Sequence, residues 1–131
     1  MKRLYCLSIP LFLLLALSSC RKEEEHPEIS NTLKNGSWKV ASFNHTGNDE
    51  TENYEGYAVT FTQLETVSAA GMNFYTGKWR ITTDGNLQMD FGRTFRFERF
   101  NAIWRIVNYN DQMIQLDIVD GVDHLVFQKI Q

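Results

Sequence analysis

Cysteine is nearly missing from this chain. Cys6 and Cys20 are its two cysteines, so nothing after residue 20 can be stapled by a disulfide and packing alone must hold the folded part together. Proline is equally scarce, at Pro10 and Pro27, and the eight glycines fall without a period, which excludes collagen-like and low-complexity chains. The longest apolar run, Leu4 to Leu17, is broken by Ser8 and Pro10 and falls short of the roughly 18 residues a spanning helix needs. Positive charge is in deficit too. The 13 Lys and Arg face 16 Asp and Glu, the wrong field for nucleic acid. Reactive groups are few: His26, His45 and His124 show no metal-ligand spacing, and there is no Gly-x-Ser-x-Gly elbow or glycine-rich phosphate loop. No metal, no cofactor and no enzymatic activity are therefore expected.

What is present begins at the N-terminus. Lys2 and Arg3 precede the apolar run, and small residues lead into Leu17-Ser18-Ser19-Cys20. That tetrapeptide resembles a bacterial lipobox. The resemblance implies a diacylglycerol on the Cys20 thiol, cleavage before Cys20 and acylation of the new N-terminus. Residues 1–19 are then a lipoprotein signal peptide, 20–32 a lipidated flexible tether, and 33–131 a folded domain with no free thiol. Loss of Lys2 and Arg3 leaves 11 cations against 16 acids, about −5. Two or more acyl chains such as palmitate, at about 0.8 kcal/mol per buried CH₂, anchor a protein firmly to a membrane. Arg21 to Glu28 is polar and aperiodic, which reads as solvated linker. Within it, Lys22-Glu23-Glu24 looks like the acidic export signal of surface lipoproteins of the Bacteroidetes type. Arg21 stands where many Gram-negative lipoproteins kept at the inner membrane have Asp. The expected location is the cell envelope, lipid-anchored at the outer membrane, with display on the cell surface left open.

From Ser37 onward, apolar and polar residues alternate in short runs rich in β-branched and aromatic side chains. This predicts eight strands, at Ser37–His45, Tyr57–Gln63, Glu65–Ala70, Thr76–Thr83, Leu87–Phe91, Ile103–Tyr109, Met113–Val119 and Asp123–Ile130. Phe95–Asn101 fits a strand or a helical turn equally well. Asp84-Gly85, Asn110-Asp111 and Asp120-Gly121 supply hairpin turn chemistry. Trp38-Lys39-Val40, Trp79-Arg80-Ile81 and Trp104-Arg105-Ile106 repeat one pattern, each read as opening a strand with its cation pointing away from the shared apolar face. Eight consecutive antiparallel strands remove their exposed edges by closing into an up-and-down meander barrel, so the fold class is all-β.

Gly36-Ser37-Trp38 at the first strand carries the Gly-x-Trp of the lipocalins. With the lipobox ahead and Trp79, Asp84-Gly85 and Trp104 behind, the chain resembles lipocalin-like domains of small Bacteroidetes lipoproteins. The resemblance makes Trp38 a barrel-floor residue. There are departures: Lys129 is the nearest cation where lipocalins proper set a late arginine against that tryptophan, and no Thr-Asp-x-x-Tyr occurs.

In a meander the connections alternate between the two ends, and here the long ones, Thr46–Gly56, Gly71–Tyr75 and Gly92–Ala102, share one end. Binding surfaces ride on long loops over a rigid scaffold, so that end is the expected mouth, facing away from the membrane. Tyr54, Phe74 and Tyr75 are the candidate rim contacts, either gripping a ligand or folding back as a plug. An eight-stranded barrel can just hold one small molecule or be filled by its own side chains. Two functions follow. The first is binding of a small hydrophobic or amphipathic molecule at the long-loop end; the second is a non-catalytic module that grips a glycan or a partner protein through rim aromatics. The acids Asp49, Glu50, Glu52 and Glu55 match no calcium-loop spacing and read as a solvated loop, and Asp90 and Asp117 as outward surface charge. A monomer is expected.

Overall fold

A computed structural model describes residues 26–131. The expected signal peptide (residues 1–19), Cys20 and the Lys22-Glu23-Glu24 motif lie outside the described residues. A helix α1 (Pro27–Lys34) leads into nine strands: β1 (Ser37–His45), β2 (Asn48–Asp49), β3 (Ala58–Phe61), β4 (Thr66–Ala70), β5 (Phe74–Ile81), β6 (Leu87–Asp90), β7 (Ala102–Tyr109), β8 (Met113–Ile118) and β9 (His124–Lys129). Two 3-10 turns, Thr51–Tyr54 and Phe97–Phe100, sit in the long connections. Every neighbouring pair is antiparallel, and β1 also pairs with β9, from Trp38 opposite Lys129 to Asn44 opposite His124. The sheet closes on itself as an eight-stranded up-and-down barrel of lipocalin-like form, with β2 as an appendage. Each of the eight expected strands is there.

The departures have local causes. Residues 27–32, expected as tether, form most of α1. Pro27 fits the first helical turn because its missing N–H costs nothing there, and Ile29 and Leu33, one turn apart, drop into the core. Only two apolar residues mark that helix, too few to stand out from the charged run before it. The β1–β2 hairpin turns on Thr46 (φ 50°) and Gly47 (φ 87°), both in the left-handed region that a primed two-residue turn requires. Phe95–Asn101 resolves into a 3-10 turn. Trp79 stands toward the end of β5 rather than at its opening, because that strand begins at Phe74.

α1 lies across the tight-turn end. The His26 ring bonds the Thr83 carbonyl oxygen at 3.0 Å in the β5–β6 turn, and Trp38 Nε1 donates to the Leu33 carbonyl at 3.0 Å. Lys129 Nζ stands 5.0 Å from the center of the Trp38 ring. Trp38 is fully buried, as are Leu33, Phe61 and Phe127. Trp79 Nε1 donates to Thr62 O and Trp104 Nε1 to Phe100 O, each at 3.0 Å. The three tryptophans thus satisfy their N–H groups on carbonyls outside the strands, tying α1 and two loops to the barrel wall.

Candidate functional site

At the long-loop end β1 and β3 part company after two pairs, Ser37 with Thr60 and Trp38 with Val59. The gap beyond is filled by the Thr51–Tyr54 turn. Phe43 N donates to Thr51 Oγ1 at 2.9 Å and Glu50 N to the Phe43 carbonyl at 2.8 Å, so the turn stands in for the missing strand. Tyr54 is thereby thrust into the barrel. It is 1% exposed, stacks on Phe100 at 4.7 Å between ring centers, and meets Phe43 and Phe97 edge-on at 5.5 and 5.2 Å.

Tyr54, expected at the rim, is a plug. Tyr75 is half-buried against Tyr57 and Phe97, while Phe74, pointing outward from β5, is 66% exposed. Of the three rim candidates Phe74 alone is presented to solvent. The mouth is stoppered by Tyr54, Phe97 and Phe100, and the space below is occupied by fully buried Trp38, Trp104, Phe43, Phe61 and Phe127. Of the two alternatives for the interior, the structure has the filled one. Burial, with Glu50 close by, pushes the Tyr54 phenol well above its ordinary value, and its hydroxyl donates to the Arg96 carbonyl at 2.7 Å.

A polar network ties the loops together over this plug. His45 Nδ1 lies 2.7 Å from Asp123 Oδ2, and Thr46 N donates to Asp123 Oδ1 at 2.9 Å. Arg99 contacts His45 Nε2 through Nη1 and Glu50 Oε1 through Nε at 3.1 Å. A guanidinium can only donate, so Nε2 accepts and Nδ1 holds the ring proton. Both ring nitrogens are engaged and, among the described residues, no hydroxyl or thiol bonds the imidazole, so this geometry supplies a clasp between three loops. Asp49 caps the turn, its carboxyl held low by bonds from the Thr51 hydroxyl (2.6 Å) and amide (3.0 Å). Among the described residues no three His, Cys, Asp or Glu side chains gather in a way that could hold a metal ion. Asp90 and Asp117 stand on β6 and β8 with β7 between them; Asp117 pairs with His124 and Arg105.

Outside the plug runs a cleft of about 330 Å³ between the two long loops, walled by Glu50, Asn53, Phe95, Arg96, Glu98 and Arg99 with Tyr54 at its back. Phe95 is 71% exposed, and the Arg96 guanidinium lies 4.9 Å from its ring center. Arg96 adopts φ 70°, ψ −48°, held by the Tyr54 hydroxyl on its carbonyl and by its own Nη1 on Asn53 O at 3.0 Å. Phe95, Arg96 and Arg99 were not legible as site residues, because the ambiguous 95–101 segment gave no side-chain directions; the length of the loop was the signal they offered. Two further clefts lie at the floor beside α1, near His26, and are bounded by Lys34 and Trp79 in one and by Ile29 and Tyr109 in the other.

No protein-family model matches this chain, and no curated protein does either. Its structure is similar to that of a DUF4847 family protein from Bacteroides vulgatus, with a TM-score of 0.59 and 15% identity over 78% of this chain and 97% of that one. It is also similar to a protein from Burkholderia xenovorans solved by NMR, with a TM-score of 0.53 and 17% identity over 85% of this chain and 92% of the other. At such identities the likeness is one of fold: a closed antiparallel barrel that recurs without its sequence.

Proposed function

We propose that this chain is a lipid-anchored protein of the cell envelope whose barrel is a filled, non-catalytic scaffold and whose long-loop end recognizes a glycan or a partner protein. The observation that carries the reading is the aromatic stopper. With Tyr54, Phe97 and Phe100 packed across the mouth, a small hydrophobic molecule has no way into the barrel short of displacing three buried rings. The apolar surface left for binding at this end is outside, and it includes Phe95, Phe74, Val122 and Met72, the last 94% exposed. Exposed apolar groups clustered on one end of a rigid fold mark interaction surfaces. Anchorage rests on the lipobox residues Leu17 to Cys20 and makes the membrane the one constant partner.

The test is affinity capture from envelope extracts by the native chain and by a Phe74→Ala, Phe95→Ala variant. We expect the native chain to retain a glycan or protein that the variant loses. Retention by both would show that the interface lies elsewhere. Metabolic labeling with a palmitate analog checks the anchor, with Cys20→Ala expected to abolish the label.

A further inference from the structure

The cleft between the long loops can be read more closely. Its walls carry two carboxylates, Glu50 and Glu98, and two guanidinium groups, Arg96 and Arg99. The charges cancel, so the cleft offers no net attraction to an ion. The acids just outside it on the 46–57 loop, Asp49, Glu52 and Glu55, turn anions away, and Glu50, the carboxylate a cation would seek, is already paired with Arg99. An aliphatic ligand would leave four charged groups facing it, a desolvation cost that only Phe95 offsets. A neutral polyol is the ligand that suits alternating donors and acceptors, because each hydroxyl both donates and accepts.

Three observations mark the cleft as a binding site, and the first of them favors a ring over an open chain. Phe95 projects at the lip, 71% exposed, with Arg96 stacked on it, which is the platform an apolar sugar face requires. Glu50 Oε1, on the opposite loop, is buried without a hydrogen-bond partner; its contact with Arg99 Nε is an ion pair at 3.1 Å that is not aligned as a hydrogen bond. Arg96 is held at φ 70° by Tyr54 and Asn53, a conformation that persists only where its surroundings enforce it and that gathers at binding sites. We infer that this cleft is a subsite for one neutral pyranose ring, with Phe95 against its apolar face and Asn53, Glu50 and the two arginines on its hydroxyls. The inference rests on the proposed role of the long-loop end.

The experiment is amide and arginine Nε chemical-shift mapping of the whole chain, held in a polyoxyethylene detergent that contains no sugar. The probes are maltotriose, cellotriose, chitotriose and mannotriose, with sodium acetate as the ionic comparison. At least one trisaccharide should shift Asn53, Phe95 and Arg96 saturably, with Phe95→Ala weakening it about tenfold or more, equivalent to about 1.4 kcal/mol, and Phe74→Ala changing it less than about twofold. Silence of the cleft toward all four sugars overturns the inference, as does a larger response to acetate. If the cleft is silent while capture by the native chain is still lost in a Phe74→Ala single variant run beside the double one, the saccharide subsite falls and the recognition role of the loop end stands. If both fail, both fall.

Discussion

Tyr54 separates what a single side chain does for shape from what it does for binding. Its ring fills the gap left where β1 departs from β3, and its hydroxyl fixes the backbone of Arg96 on the facing loop. Truncation to alanine should cost about 3–5 kcal/mol, whereas Tyr54→Phe, losing only one hydrogen bond, should cost about 1 kcal/mol in urea unfolding. If the two variants unfold alike, the ring is not the plug. Alkali gives a second measurement. The folded-state phenol titrates above its unfolded value, so the unfolded chain releases this proton first as pH rises. The stabilization is whole below the unfolded value and is lost as pH climbs toward the folded one. Native protein should therefore unfold more readily in strong alkali than Tyr54→Phe relative to neutral pH, with the absorbance of Tyr54 phenolate rising only as the fold is lost. That Tyr54 lay near the mouth was legible from loop alternation; that it points inward was not, because its direction depends on a 3-10 turn replacing a strand.

At the scale of elements, alternation was a reliable guide and short helices were not. Strands such as Leu87–Asp90 and Met113–Ile118 announce themselves because burial alternates with every residue. The helix α1 spans eight residues and shows its period only at Ile29 and Leu33. Its contribution is nevertheless that of a core element. Leu33 is fully buried and accepts the Trp38 indole through its carbonyl, so Leu33→Ala should cost about 2–5 kcal/mol while Glu28→Ala, on the exposed face, should stay within about 0.5 kcal/mol. A small loss at Leu33 would return α1 to the tether. The middle of β5 makes a similar claim. A Cβ at Gly77 would stand 2.3 Å from the Asp90 carbonyl oxygen and 2.8 Å from Phe91 Cα, where β6 ends and the long loop folds over the mouth. Gly77→Ala should therefore destabilize by about 1–3 kcal/mol, despite the better strand propensity of alanine, and a neutral result would mean that the two strands do not approach so closely.

The whole molecule is polar along its axis, and the topology sets that polarity. An even number of antiparallel strands puts the start of β1 and the end of β9 at the same end, and α1 crosses that end with His26 against the β5–β6 turn. Residues ahead of 26 therefore join the barrel at its floor. β1 has nine residues, which at about 3.3 Å each and a tilt of about 40° span roughly 20–25 Å along the barrel axis. Under the proposed lipidation of Cys20, the floor faces the bilayer and the stoppered mouth stands that much farther out. Two exposed apolar residues report on this without touching the core: Leu64, 87% exposed in the β3–β4 turn at the floor, and Met72, 94% exposed in the β4–β5 turn at the mouth. With Cys20 acylated and Cys6 removed with the leader, Leu64→Cys and Met72→Cys each provide the single thiol for a spin label. On vesicles, the label at 64 should sit nearer the lipid phosphates by about 20 Å, because rigid packing between the two turns leaves that separation no way to collapse. Equal distances would mean that the barrel lies on its side, and both ends of the scaffold would then be within reach of the membrane surface.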